Sequence, residues 1–143
     1  MKVRDIMTSP AIRIHPEESV EVAARALASH NIGMLPVCGT DGKLCGVVTD
    51  RDLVTRCVAG GRLPDRTKIR EVMTGQVMSV DPNIELGVAA HLMGRQQIRR
   101  LPVVENGKLC GMLSLGDLAV REDEVMDAAD ALADISSNVS DRI

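Results

Sequence analysis

Val3-Arg4-Asp5-Ile6-Met7-Thr8 returns 66 residues later as Ile69-Arg70-Glu71-Val72-Met73-Thr74. At the same offset Pro16 returns as Pro82, Val22-Ala23-Ala24 as Val88-Ala89-Ala90, and Leu35-Pro36-Val37 as Leu101-Pro102-Val103. After a deletion of one residue, Gly42-Lys43-Leu44-Cys45-Gly46 matches Gly107-Lys108-Leu109-Cys110-Gly111, and Asp52-Leu53 matches Asp117-Leu118. A self-similarity of this period constrains the fold more than any local pattern, because like halves bury like stripes and pack against each other. The expected layout is a first repeat over residues 1–58, a linker over 59–68, a second repeat over 69–121, and a tail over 122–143. The two repeats are expected to pack about a pseudo-twofold axis.

Each half reads as β-α-β-β-α, an α/β plan. A short amphipathic turn ends near Met7 or Met73, and a short strand is expected around residues 11–14 and 77–80, closed by Pro16 and Pro82. Ser19 stands where a helix cap belongs, ahead of Val20, Ala23, Ala24 and Leu27 at helical spacing. Leu86, Ala89, Ala90 and Met93 repeat that stripe. Two strands follow around residues 35–38 and 44–49, joined by Thr40-Asp41-Gly42, a turn sequence with glycine where φ > 0 is wanted. A second helix starts near Asp50. Residues 123–135, with Val125, Met126, Ala129, Leu132 and Ala133 at helical spacing, predict an added amphipathic helix that needs a partner for its apolar face.

One motif carries chemistry. Gly46-Val47-Val48-Thr49-Asp50-Arg51-Asp52 and Gly111-Met112-Leu113-Ser114-Leu115-Gly116-Asp117 share a glycine, two apolar residues, a hydroxyl, two variable positions and an aspartate. A hydroxyl where strand becomes helix suits a phosphate, since helix N-termini offer free N–H groups. An aspartate three residues on can accept both hydroxyls of a ribose. The same spacing is also a helix capping box, in which hydroxyl and carboxylate satisfy backbone donors and nothing else. Spacing alone favours capping.

The ordered set is more specific than its parts. Met7-Thr8, Ile32-Gly33-Met34-Leu35-Pro36-Val37, the Gly42–Gly46 hairpin and the Thr49/Asp52 motif resemble, in order and spacing, a CBS (cystathionine-β-synthase-type) repeat. Met73-Thr74, Ile98-Arg99-Arg100-Leu101-Pro102-Val103-Val104 and the Ser114/Asp117 motif resemble a second one. The resemblance implies a stand-alone pair, or Bateman module: a non-catalytic sensor that binds AMP, ADP or ATP, or less commonly S-adenosylmethionine or NAD, in clefts between the repeats. It also implies a homodimer that signals through an effector protein the sequence does not identify. By resemblance, Asp52 and Asp117 hold ribose hydroxyls, and Thr49 and Ser114 contact ribose or phosphate. Ser9, Pro10 and Ile12, with Gln76 and Met78, belong to loops that face the adenine. Arg99 and Arg100 match basic phosphate contacts, where the first repeat has Gly33 and Met34. Stand-alone pairs resembling hypoxic-response proteins keep an alternative open: a ligand-free structural or redox-responsive protein.

Composition narrows the classes. The chain has no Phe, Tyr or Trp, so it lacks the aromatic platforms on which single-stranded nucleic acid stacks. Its net charge of −3 gives no general attraction to phosphate backbones, and nucleic acid is not the expected partner. No apolar run is long enough to span a bilayer and no signal peptide opens the chain, so the expected location is the cytoplasm. Cys38, Cys45, Cys57 and Cys110 show no zinc-ligand spacing. Cys45 and Cys110 read as small buried hydrophobes, and Cys38 and Cys45 as a pair a hairpin brings near each other. His15, His30 and His91 are spread along the chain as surface residues, without a metal motif. Neither Thr49 nor Ser114 has a histidine base beside it in sequence, and no hydrolase, Walker or zincin motif is present, so no enzyme is expected.

Overall fold

The structure, a computed structural model, describes residues 1–119 and 125–140, without side chains for 125–128 and 137–140. It divides the chain into two compact units that exchange their leading segments. One holds residues 12–77 and 107–109, the other residues 1–11, 78–106 and 110–143.

In the first of these units, helix α1 (Val20–His30) is capped by Ser19, whose hydroxyl accepts the Val22 N–H at 3.2 Å. It ends at Asn31 in the left-handed region at φ 53°. Strands β1 (Met34–Cys38) and β2 (Leu44–Thr49) form an antiparallel hairpin, with Leu35 opposite Val48 and Val37 opposite Gly46. The next pair is Cys38 with Leu44, so Cys45 is the extra residue of a bulge. That corrects its expected burial: a bulge re-aims its side chain, and Cys45 is exposed while Cys38 and Cys57 are buried. A short helix α2 (Asp50–Asp52) leads straight into a π-wound segment, Leu53–Val58. Val20, Ala23, Leu27, Leu35, Val37, Val48, Leu53 and Ile69 make the core.

The second unit repeats the plan with α3 (Leu86–Gln96), a hairpin of β3 (Arg100–Glu105) and β4 (Lys108–Ser114), and α4 (Leu115–Ala119). It adds α5 (Val125–Ser140), which packs on α3 and α4. The expected start of that helix at residue 123 lies outside the described residues, as do the side chains of Val125 and Met126. Its buried stripe differs from the expected one: Ala131 and Ile135 enter the core, while Ala129 and Ala133 are exposed and Leu132 is 42% exposed. The reason is Gly94, a position where α3 has no side chain. A Cβ there would stand 3.2 Å from the Ala131 Cα, so the helices meet along Ala131 rather than along the bulkier Leu132. Ala90 is buried under this cover, and its counterpart Ala24 is exposed. Burial of Leu86, Met93, Leu101, Leu113 and Leu118 contributes about 1.5–3 kcal/mol per side chain.

The first strand of each repeat is shorter than expected. It is a single parallel rung, Ile14 with Val37 and Val80 with Val103. Ile14 donates to the Pro36 carbonyl at 3.0 Å and accepts from the Cys38 N–H at 2.9 Å. The next rung toward the N-terminus needs an N–H on Pro36, and the next toward the C-terminus needs one on Pro16. Proline has none, so the ladder stops on both sides. Pro82 and Pro102 impose the same limit on Val80.

The exchanged segments are seated by backbone pairs. Residues 1–11 join the second unit through the Val3 N–H to the Ile84 carbonyl at 3.0 Å and a reciprocal Thr8–Met112 pair at 2.8 and 3.0 Å. Residues 69–77 join the first unit through the Ile69 N–H to the Glu18 carbonyl at 2.8 Å and a reciprocal Thr74–Val47 pair at 2.8 and 2.9 Å.

Candidate functional site

Both motifs close as capping boxes. The Thr49 hydroxyl accepts the Asp52 N–H at 3.0 Å, and Asp52 Oδ2 accepts the Thr49 N–H at 3.0 Å. In the second unit the Ser114 hydroxyl accepts the Asp117 N–H at 3.1 Å, and Asp117 Oδ2 accepts the Ser114 N–H at 2.8 Å. Each box engages one carboxylate oxygen of its aspartate. The other oxygen of Asp52 lies 3.7 Å from an Arg56 nitrogen.

The motif glycines have a reason that spacing did not reveal. A Cβ on Gly111 would stand 2.7 Å from Met7 Sδ and 2.9 Å from the Thr8 carbonyl, and one on Gly46 would collide with the Thr74 carbonyl. Each glycine therefore admits the exchanged segment against the motif strand. Thr8 and Ser9 consequently run along β4, where the Ser9 hydroxyl donates to the Cys110 carbonyl at 2.8 Å. Thr74 runs along β2, followed by Gln76 in the left-handed region at φ 48°.

One cavity gathers several of the expected residues. Arg99, Arg100, Ser114, Leu115, Gly116 and Ala119, with Ala129 and Leu132 of α5, line an open hollow of about 530 Å³ in the second unit. Asp117 is not among its lining residues. Ser9, Pro10 and Met78 belong to the same unit and are exposed, but they do not line this hollow either. In the first unit, a hollow of about 410 Å³ is lined by Val20, Ala24, Leu27, Ile32, Asp50, Leu53 and neighbouring apolar residues, without Thr49, Asp52, Ile12 or Gln76. Arg99 and Arg100 line the hollow of the second unit, whereas among the described residues no Lys or Arg lines that of the first.

Arg56 escaped the sequence reading. Its guanidinium donates to the Val72 carbonyl at 3.0 Å, the Met73 carbonyl at 3.1 Å and the Thr74 hydroxyl at 3.2 Å, while facing Asp52. It fastens the exchanged segment to the motif. The signal was present as an Asp–Arg pair at i and i+4, repeated in sequence as Asp117 and Arg121, the latter outside the described residues.

The thiols are free, and burial raises the Cys38 and Cys110 pKa above the ordinary cysteine value. Among the described residues no three His, Cys, Asp or Glu side chains converge as metal ligands, and no helix is long and apolar enough to cross a membrane.

A family model described as the CBS domain matches residues 3–59 and again residues 69–124. The chain belongs to the CBS-domain family. It is 40% identical over 134 residues to the CBS domain-containing protein YhcV of Bacillus subtilis, covering 94% of each chain. It is 34% identical over 116 residues to Hypoxic response protein 1 of Mycobacterium tuberculosis, covering 81% of each. A solved structure of Hypoxic Response Protein I with two coordinated zinc ions superposes with a TM-score of 0.77 at 33% identity, covering 83% of this chain and 97% of that one. The CBS domain pair of protein MJ0100, in complex with 5-methylthioadenosine and S-adenosyl-L-methionine, superposes with a TM-score of 0.73 at 29% identity, covering 83% and 93%. As a tandem CBS pair the chain is a regulatory, non-catalytic module.

Proposed function

We propose that this CBS pair senses an adenosine-containing small molecule and passes its state to another protein. The observation that carries the reading is the hollow in the second unit, where two arginines and the Ser114 motif hydroxyl meet an apolar wall. Its volume falls within the range of about 300–1,000 Å³ common for small-molecule sites. Arginine forks suit phosphate oxygens, and Leu115 and Leu132 offer aliphatic contact to a base in a chain without aromatics. Asp117 serves the ribose through the carboxylate oxygen that capping does not engage, and Asp52 has the same role in a weaker first site. Ser9, Pro10 and Met78 in the second unit, and Ile12 and Gln76 in the first, keep their proposed adenine-facing roles although they line neither hollow. The adenosine compounds held by the MJ0100 pair support the ligand class more broadly than AMP, ADP or ATP alone.

The comparisons weigh more heavily for a second reading, a structural or redox-responsive pair of the hypoxic-response kind that needs no nucleotide. Hypoxic response protein 1 matches in sequence and in structure across most of both chains. The closed capping boxes agree with it, since each motif already satisfies its own donors.

One experiment separates the two. The chain lacks aromatic side chains and hardly absorbs near 260–280 nm, so a bound adenine is visible directly in the spectrum of purified protein. Mass spectrometry of the denatured sample then identifies it. Thermal melts with AMP, ATP and S-adenosylmethionine follow, with about 2.7 kcal/mol of stabilisation expected at one hundred times Kd. A silent spectrum and unmoved melts sink the sensor reading. A mobility difference between oxidised and reduced protein that Cys38→Ser abolishes supports the second; its absence removes the redox form of it.

A further inference from the structure

We propose that the tail helix α5 is the outer wall of an anion pocket on Arg99 and Arg100, so that a phosphate-bearing ligand and the docking of α5 stabilise each other. This rests on the small-molecule reading and adds an output element to it.

Three departures from the repeat coincide in one place. Gly33 and Met34 of the first repeat become Arg99 and Arg100, and Asp50 and Arg51 become Leu115 and Gly116. These changes remove one carboxylate and one guanidinium, leave a glycine at 116 and bring two arginines to the rim of the same hollow. The third departure is α5 itself, for which the first repeat has no counterpart. It packs on the unit that carries the arginines.

The helix has two apolar stripes. Ala131 and Ile135 are buried against α3, where Gly94 lets the helix approach. Leu132 and Ala129 lie on the adjoining flank, at 100° per residue, and line the hollow with Leu132 still 42% exposed. A structural tail needs only the first stripe. Among the described residues neither Arg99 nor Arg100 is in an ion pair, and no carboxylate lines the hollow. The pocket thus combines unpaired cations with an open aliphatic wall, and part of that wall is α5. A ligand that touches both stabilises the docked helix, and by linkage the docked helix tightens the ligand to the same degree. Occupancy is thereby written into the position of a surface helix that an effector can read.

The test is amide hydrogen exchange on the full chain, with ATP and separately with inorganic pyrophosphate as probes, on wild type, on Arg99→Ala/Arg100→Ala and on Leu132→Ser. Circular dichroism confirms that the variants, all altered at exposed positions, are folded. The expected result is slower exchange across residues 129–136 with both probes, by up to about a hundredfold at one hundred times Kd. That slowing is lost in the arginine variant and reduced in Leu132→Ser. If ATP raises the melting temperature and exchange in α5 does not change, the coupling is refuted and the nucleotide reading stands. If pyrophosphate slows α5 as fully as ATP and adenosine binds nowhere, the anion pocket stands and the adenosine reading falls. If neither probe binds, both fall.

Discussion

Replacing Gly46 with alanine tests the exchanged arrangement at its tightest point. The new Cβ meets the Thr74 carbonyl oxygen, with the carbonyl carbon 3.1 Å and the Gly75 Cα 3.4 Å away. All three are backbone atoms, so no side chain can turn aside. The segment must retreat, and the reciprocal Val47–Thr74 hydrogen bonds at 2.8 and 2.9 Å are strained or lost. Two hydrogen bonds at about 1 kcal/mol each, with part of the usual overpacking penalty of about 1–3 kcal/mol, give a destabilisation of about 2–4 kcal/mol. For Gly111→Ala the nearest atom is the end of the flexible Met7 side chain at 2.7 Å, with the Thr8 carbonyl next at 2.9 Å. That side chain can yield, so the cost is smaller, about 1–3 kcal/mol. Gly75→Ala is the control: its Cβ meets only the Cys45 carbonyl at 4.0 Å, and a change within about 0.5 kcal/mol is expected. Urea titration followed by far-UV circular dichroism suits a chain without aromatic fluorophores, and amide exchange at Val47 and Thr74 localises the effect. Equal stability of Gly46→Ala and Gly75→Ala would refute the seating of Thr74 on β2.

Arg56→Ala should destabilise the first unit by about 1–3 kcal/mol, since its guanidinium serves three acceptors. Arg56→Lys should recover less than half of that, because an ammonium cannot span them; full recovery in the urea midpoint would contradict the fork geometry. Cys45 should react with iodoacetamide well before Cys38, whose thiol is buried and raised in pKa; peptide mass mapping that finds Cys38 labelled first would refute this. Glu17 is held below the ordinary carboxylate pKa, chiefly by its hydrogen bond with Lys68 and also by Arg70; Glu71 is lowered chiefly by the Lys68 backbone N–H. Their stabilisation is therefore present above the unfolded carboxylate pKa and lost as pH falls through the folded one. The urea midpoint should drop on acidification below about pH 4, and less so in Glu17→Gln; identical pH profiles for the two proteins would refute the contribution.

Local chemistry made α1 and both hairpins legible. Ser19 caps where a cap was expected, Val20, Ala23 and Leu27 face the core, and Gly42 turns the hairpin at φ 81°. Legibility stopped where the fold depends on partners distant in sequence. The prolines that cut the first strands to one rung were visible, but which carbonyl each strand would meet was not. The exchange of residues 1–11 and 69–77 is a tertiary choice, and its one local trace is a glycine inside each motif strand. The sequence offers α5 two apolar stripes, and which of them enters the core of this unit depends on Gly94 of another helix.

The two halves share a motif but differ in what surrounds it. Both halves need the capping box, since each must turn a strand into a helix at the same point, and neither Thr49 nor Ser114 can be lost without leaving backbone donors unpaired. The box therefore persists whether or not a ligand is present, and its recurrence says nothing about binding. What distinguishes the halves is everything around it. In the first unit Asp52 faces Arg56, which is already engaged by Val72, Met73 and Thr74, so that charge pair is committed to holding the chain together. In the second unit the guanidinium groups of Arg99 and Arg100 are in no ion pair among the described residues, and both residues line a hollow walled by a helix the first unit lacks. A cation engaged by its own fold is structural, and a cation left facing an open pocket is available to a ligand. On that physical distinction, the proposed ligand site has its free cations in the second unit, and the first unit's Arg56 is taken up by the fold.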